Sequence, residues 1–150
     1  MSVEYRVGDL FAQTDLAAIG QGVNVAGVMG SGIAPVFKRY WPAMYAEYRA
    51  LCHSGELMLG GVHAWQAESG VWIYNLASQR ATGADARLDA IATSLTTALA
   101  HATVHDVPSI GLPRIGAGIG GLAWPDVRTV IEQVAHLHSV RVVVVSLPGA

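Results

Sequence analysis

The stretches of this chain that look built for chemistry carry almost no reactive side chains. LPRIGAGIGGLAW, Leu112 to Trp124, holds Gly116, Gly118, Gly120 and Gly121 and offers no acid, base or nucleophile. AGVMGSG, Ala26 to Gly32, has the same character. Each reads as a turn from a strand end into a helix, where backbone N–H groups are exposed and glycine removes the Cβ that would block an approaching oxygen. Gly116, Gly118 and Gly121 formally match the dinucleotide fingerprint G-x-G-x-x-G. The context argues against it. A ribose-binding acid should follow about twenty positions on, where this chain has Arg141 and valines, and too little chain remains to complete a Rossmann fold. Neither loop has the lysine of a P-loop, which counts against a nucleoside triphosphate with magnesium. Two lysine-free sets of amides suit a diphosphate gripped from both sides.

The conventional reactive groups point nowhere as clearly. Cys52 lies in an apolar helical pattern and reads as packing. His101 and His105 share a helix face, as a metal pair would, but no third ligand accompanies them. Those two, with His63, His136 and His138, read as solvent-exposed. No metal and no cofactor is expected.

The elements that must hold the two loops follow from hydrophobic periodicity. Val3–Val7 and Ala17–Val25 read as strands, with a short helix between them. A long helix is expected from Ile33 to His53, kinked at Pro42. GGVHAW and VWIYNLAS alternate around QAESG, a hairpin signal. Asp85 is placed to cap a helix whose buried stripe is Leu88, Ile91, Leu95 and Leu99. PSIGLPRI reads as a strand, and Pro125 and Asp126 open a helix with Val127, Val130, Ile131, Val134 and Leu137 on its apolar face. The valine run in Arg141–Leu147 fits a strand buried on both faces. The order predicts an α/β fold, a mixed central sheet sandwiched between helices.

One domain of 150 residues, 52% hydrophobic and only 13% charged, agrees with that. No apolar run reaches the ~18 residues that cross a bilayer, and the N-terminus lacks the pattern of a signal peptide. With a single cysteine the chain reads as cytoplasmic. Its net charge of −2 argues against bulk binding to nucleic acid.

Four stretches in this order and spacing resemble a macrodomain, the ADP-ribose-binding α/β family: VGDLF, VNVAGVMGSGIA, NLASQRA and LPRIGAGIGGLAW. The forms GDLF and MGSGIAPVFK are most similar to the branch holding the terminal ADP-ribose protein glycohydrolase and the DNA ADP-ribosyl glycohydrolase antitoxins. The resemblance implies a single macrodomain over residues 1–150. It implies that Asp9 accepts from the adenine amine, that the Leu10 N–H meets a ring nitrogen and that Asn24 touches the distal ribose. Gly30, Ser31, Gly32, Ile33 and Ala34 would form one side of the diphosphate cradle. Ile115, Gly116, Ala117, Gly118, Ile119 and Gly120 would form the other. A bulky residue at Gly118 or Gly120 would then clash with the ligand.

The departures from the branch matter as much. Its hydrolases attack the sugar with a lysine after the hairpin, where LASQRA places Ser78 or Gln79. Neither can act as a Schiff-base nucleophile. Lys38, the chain's only lysine, falls in the long helix and reads as solvent-facing. Asn24, Ser78 and Arg80 remain as catalytic candidates: Ser78 to orient a water, Arg80 to stabilise a leaving carboxylate. The expected function is removal of ADP-ribose from ester-linked, acidic protein side chains by positioning alone. Its partners would be ADP-ribose and ADP-ribosylated proteins, without membrane or nucleic acid. The alternatives are a non-catalytic reader of ADP-ribose or a related metabolite, and a DNA ADP-ribosyl glycohydrolase. A domain with no fused partner has little to recruit, which favours the hydrolase.

Overall fold

The computed structural model describes residues 3–149. Six strands form one sheet: β1 (Glu4–Val7), β2 (Ala18–Asn24), β3 (Val62–Gln66), β4 (Trp72–Gln79), β5 (Ser109–Leu112) and β6 (Arg141–Ser146). Their order is β1-β6-β5-β2-β4-β3. Every neighbouring pair is parallel except β3–β4, the hairpin. Helices α1 (Ala34–Tyr40) and α2 (Pro42–Ser54) cover one face, and α3 (Leu88–Val104) and α4 (Trp124–His136) cover the other.

Strand periodicity divides the core between those faces. Val142 and Val144 of β6 pack with Ile91, Leu95, Leu99 and Ile131 of α3 and α4. Val143 and Val145 pack with Phe37, Met44 and Tyr48 of α1 and α2. The expected mixed sheet between helices is therefore the observed fold, and β6 is buried on both faces because a helix layer covers each of them, while β1 and β5 pair with its edges.

Local chemistry moved several boundaries. The expected Ile33–His53 helix is two helices. Trp41 leaves the helical region (φ −133°, ψ 73°) because the ring of Pro42 disfavours helical backbone before it, and Pro42 starts α2. Between β1 and β2 lies only a 3-10 turn, Leu10–Ala12, capped by Asp9. Strand β5 stops at Leu112 because Pro113 has no N–H for the ladder. Asp85 does not cap α3, whose N-cap is Arg87 without a side-chain bond. Its carboxylate instead accepts from the backbone N–H groups of Arg80 and Ala81, closing the loop after β4. Leu137 falls beyond α4 and is exposed rather than on its apolar face.

Candidate functional site

Because β1, β6, β5, β2 and β4 run parallel, their carboxyl ends share one edge of the sheet, the edge where ligands bind in open α/β folds. A cleft of about 380 Å³ opens there. Gly30–Ala34 form one wall, and Ile115, Gly116, Gly118, Ile119 and Gly120 form the facing wall. The floor is Gln21–Asn24, and Ser78, Gln79, Thr82 and Gly83 close one end. Asp9, Leu10, Ala117 and Arg80 do not line it.

The walls are rows of unused donors. Among the described residues, the N–H groups of Gly30, Ser31, Gly32 and Ile33 meet no protein acceptor, nor do those of Gly116, Gly118, Ile119 and Gly120. Gly32 (φ +64°) and Gly116 (φ +71°) hold left-handed backbone that turns successive amides toward one side. Gly118 differs from Gly120. A Cβ on Gly118 meets nothing within 4 Å, whereas one on Gly120 falls 2.7 Å from the Gly116 carbonyl oxygen and 2.8 Å from Ala86 Cβ. The expected ligand clash at Gly120 is thus a clash within the loop itself.

A β-bulge sets Ser78 and Gln79 apart. Val23 pairs with Ala77, but the next residue, Asn24, pairs with Gln79, so Ser78 is the extra residue. Ser78 is 1% exposed and lines the cleft beside Gly22, with Oγ 2.7 Å from the Cβ position of that glycine. Gln79 comes to the cleft beside Asn24. The Asn24 side chain is itself held: Oδ1 accepts from the N–H groups of Ala26 (3.1 Å) and Val28 (3.3 Å), while Nδ2 donates to Val28 O. The Tyr48 hydroxyl lies 2.9 Å from Asn24 Oδ1 and 2.7 Å from its carbonyl. Burial pushes that phenol well above the ordinary tyrosine value, keeping it a donor.

Beneath the floor runs a buried polar chain that the sequence did not reveal. Gln21 Nε2 donates to Asn75 Oδ1 (3.0 Å), Asn75 Nδ2 to His63 Nδ1 (3.1 Å), and His63 Nε2 meets Glu47 Oε1 (2.8 Å). His63 is therefore buried, not solvent-exposed as its position in the hairpin implied. Gln21 Oε1 is the one buried side-chain polar atom among the described residues without a partner. A glutamine in an apolar strand was the available signal. Arg114, on the cleft rim, stacks on Trp124 with its guanidinium carbon 5.0 Å from the ring centroid.

The remaining candidates lie apart. Arg80 is exposed outside the cleft, so the structure does not support it as a group facing reacting atoms. Lys38 is exposed over the Tyr45 ring, 4.3 Å from its centroid. Asp9 is exposed at the end of β1, on the same sheet edge. Its Oδ1 accepts from Phe11 N–H (2.9 Å), and Leu10 beside it is buried. His101 and His105 stack 4.0 Å apart, with His101 Nδ1 2.8 Å from the Tyr74 hydroxyl. No cluster of three metal-ligating side chains occurs among the described residues, and no helix there is long and apolar enough to cross a membrane. Burial raises the Cys52 thiol, against a nucleophilic role.

Comparison with known proteins agrees with this geometry. The Macro domain family model matches residues 21–131. A DNA ADP-ribosyl glycohydrolase of Mycobacterium tuberculosis is 34% identical over 129 residues, covering 84% of this chain and 36% of that protein. The chain thus spans about a third of that relative's length. The human ADP-ribose glycohydrolase OARD1 is 26% identical over 145 residues, covering 97% of this chain and 91% of the relative. The solved macrodomain of Mycobacterium tuberculosis DarG superposes with a TM-score of 0.87 at 30% identity, covering 95% of this chain and 96% of that one.

Proposed function

The chain belongs to the macro domain family, and we propose that its cleft binds ADP-ribose and releases it from ester-linked protein side chains. The observation that carries the reading is the pair of facing walls with unengaged amides. A diphosphate between them would accept from both, in a cleft lined by no carboxylate among the described residues. Asp9, at the end of β1, has Oδ2 free of protein donors and would accept from the adenine amine. Three inter-strand steps of about 4.8 Å separate β1 from β2, so the ligand would lie along the sheet edge with its terminal ribose at Asn24.

Hydrolysis would proceed without a covalent intermediate on the protein, since no lysine, cysteine, histidine or carboxylate lines the cleft. Water attacks the anomeric carbon, and the C–O bond to the modified side chain breaks. The carboxylate leaves with the bonding electrons, and the water's proton passes to a diphosphate oxygen. The protein contributes position: amides hold the diphosphate over the sugar, and Asn24 fixes the ring. That same absence of a general acid or base favours a second reading, a binding module that recognises ADP-ribose without cleaving it. DNA-linked ADP-ribose is the substrate class named for the mycobacterial relative; here the net charge of −2 weighs against a polyanionic carrier.

The test is incubation with glutamate-, arginine- and serine-linked ADP-ribosylated peptides and with ADP-ribosylated DNA, following free ADP-ribose by mass spectrometry. Release from the glutamate ester is the expected result. ADP-ribose binding with no release from any linkage would make the protein a reader, and release from DNA alone would replace the substrate class.

A further inference from the structure

The geometry points to Gln79 as a specificity-determining residue that accepts a hydrogen bond from a hydroxyl of the ligand's terminal sugar. The inference rests on the ADP-ribose reading of the cleft. Gln79 Nε2 lies 2.6 Å from Ala81 O and 2.9 Å from Gly83 O, which takes both of its protons. Carbonyl oxygens only accept, so the amide cannot be flipped without facing oxygen against two oxygens. Oε1 is thereby fixed as the group left over, with no protein donor. It is not enclosed either, since the buried unpartnered atom of the described residues is Gln21 Oε1.

The bulge at Ser78 places this acceptor in register with Asn24. Asn24 is oriented just as firmly: Oδ1 faces the N–H groups of Ala26 and Val28, so its nitrogen faces Val28 O with one proton and has the second to spare. One unspent donor and one unspent acceptor therefore belong to paired residues that line the same cleft. A hydroxyl, which accepts and donates at once, is the simplest group that satisfies both. A lysine at 79 would present donors only and could not complete the pair. The wall is built to hold a sugar hydroxyl, and the loop of Ala81–Gly83 supplies the rigidity by holding the glutamine amide.

The test is a set of calorimetric titrations with ADP-ribose and with analogues each lacking one hydroxyl of the terminal ribose, on wild type and on Gln79→Met. Wild type should lose about tenfold in affinity for one analogue. Gln79→Met should bind ADP-ribose about tenfold more weakly yet show no further loss with that analogue, because the two changes remove the same bond. A loop merely loosened by the substitution would add its penalty to the analogue's instead. Equal analogue penalties in the two proteins would overturn the inference while leaving ADP-ribose binding in place; a wild type that fails to bind ADP-ribose would overturn the underlying reading. Should Gln79→Met melt prematurely, Gln79→Arg replaces it, since a guanidinium donates to both loop carbonyls and accepts from nothing.

Discussion

Replacing Gly118 with valine should separate the ligand from the fold. A Cβ at this position meets no atom within 4 Å, and the residue is not in left-handed backbone, so the free protein can accept the side chain without strain. Its melting temperature should stay within what a surface change causes, about 0.5 kcal/mol of stability. Gly118 also lines the cleft and carries an unengaged N–H on the wall proposed to hold the diphosphate. A branched side chain there keeps the diphosphate from at least one amide. One charge-assisted hydrogen bond is worth about 1.5–3 kcal/mol, so calorimetry should report ADP-ribose binding weakened by about ten- to 150-fold. Gly120→Val supplies the contrast. Its Cβ would overlap the Gly116 carbonyl and Ala86, an overpacking worth about 1–3 kcal/mol, or several degrees of melting temperature in a chain of this size. Unchanged affinity in Gly118→Val, with the protein folded, would show that this loop does not act through bare backbone.

Asp9→Ala should weaken ADP-ribose binding at least about tenfold while costing about 1 kcal/mol of stability from the lost cap on Phe11 N–H; melting and calorimetry separate the two. Asn75→Leu should lower stability by about 2–4 kcal/mol in denaturant titration, because the buried Gln21 Nε2 and His63 Nδ1 each lose the hydrogen bond that Asn75 gives them. Below about pH 6.5 the fold should lose stability as pH falls. Burial, then His105, lowers the His101 pKa, so the unfolded chain takes up this proton first, and the loss continues until the folded value is passed. A His101→Gln variant should melt with a flatter pH profile over that window, read by calorimetric scans from pH 5 to 8.

The architecture was legible because each buried element advertised its period: four valines for β6, a leucine stripe for α3, a proline at the start of α4. The two loops were legible because glycine has few other reasons to cluster at strand ends. What stayed hidden depends on register and on distant partners. Nothing local in LASQRA says that Ser78 is the bulged residue and that Gln79 is therefore the one paired with Asn24. His63 looked like a hairpin histidine because its partners Glu47 and Asn75 come from α2 and β4. Asp85 sat at the right distance for a helix cap, yet the free amides of Arg80 and Ala81 were better donors for it. Arg80 was adjacent to the right residue, and a single step along the strand end took it out of the site.

The unengaged amides of the two walls can be watched one by one. In a titration of the labelled protein with ADP-ribose followed by amide ¹H–¹⁵N spectra, the resonances of Gly30, Ser31, Gly32 and Ile33 should move together with those of Gly116, Gly118, Ile119 and Gly120, saturating at one affinity. Movement confined to one wall, or no movement at either at saturating ADP-ribose, would contradict a diphosphate held between them.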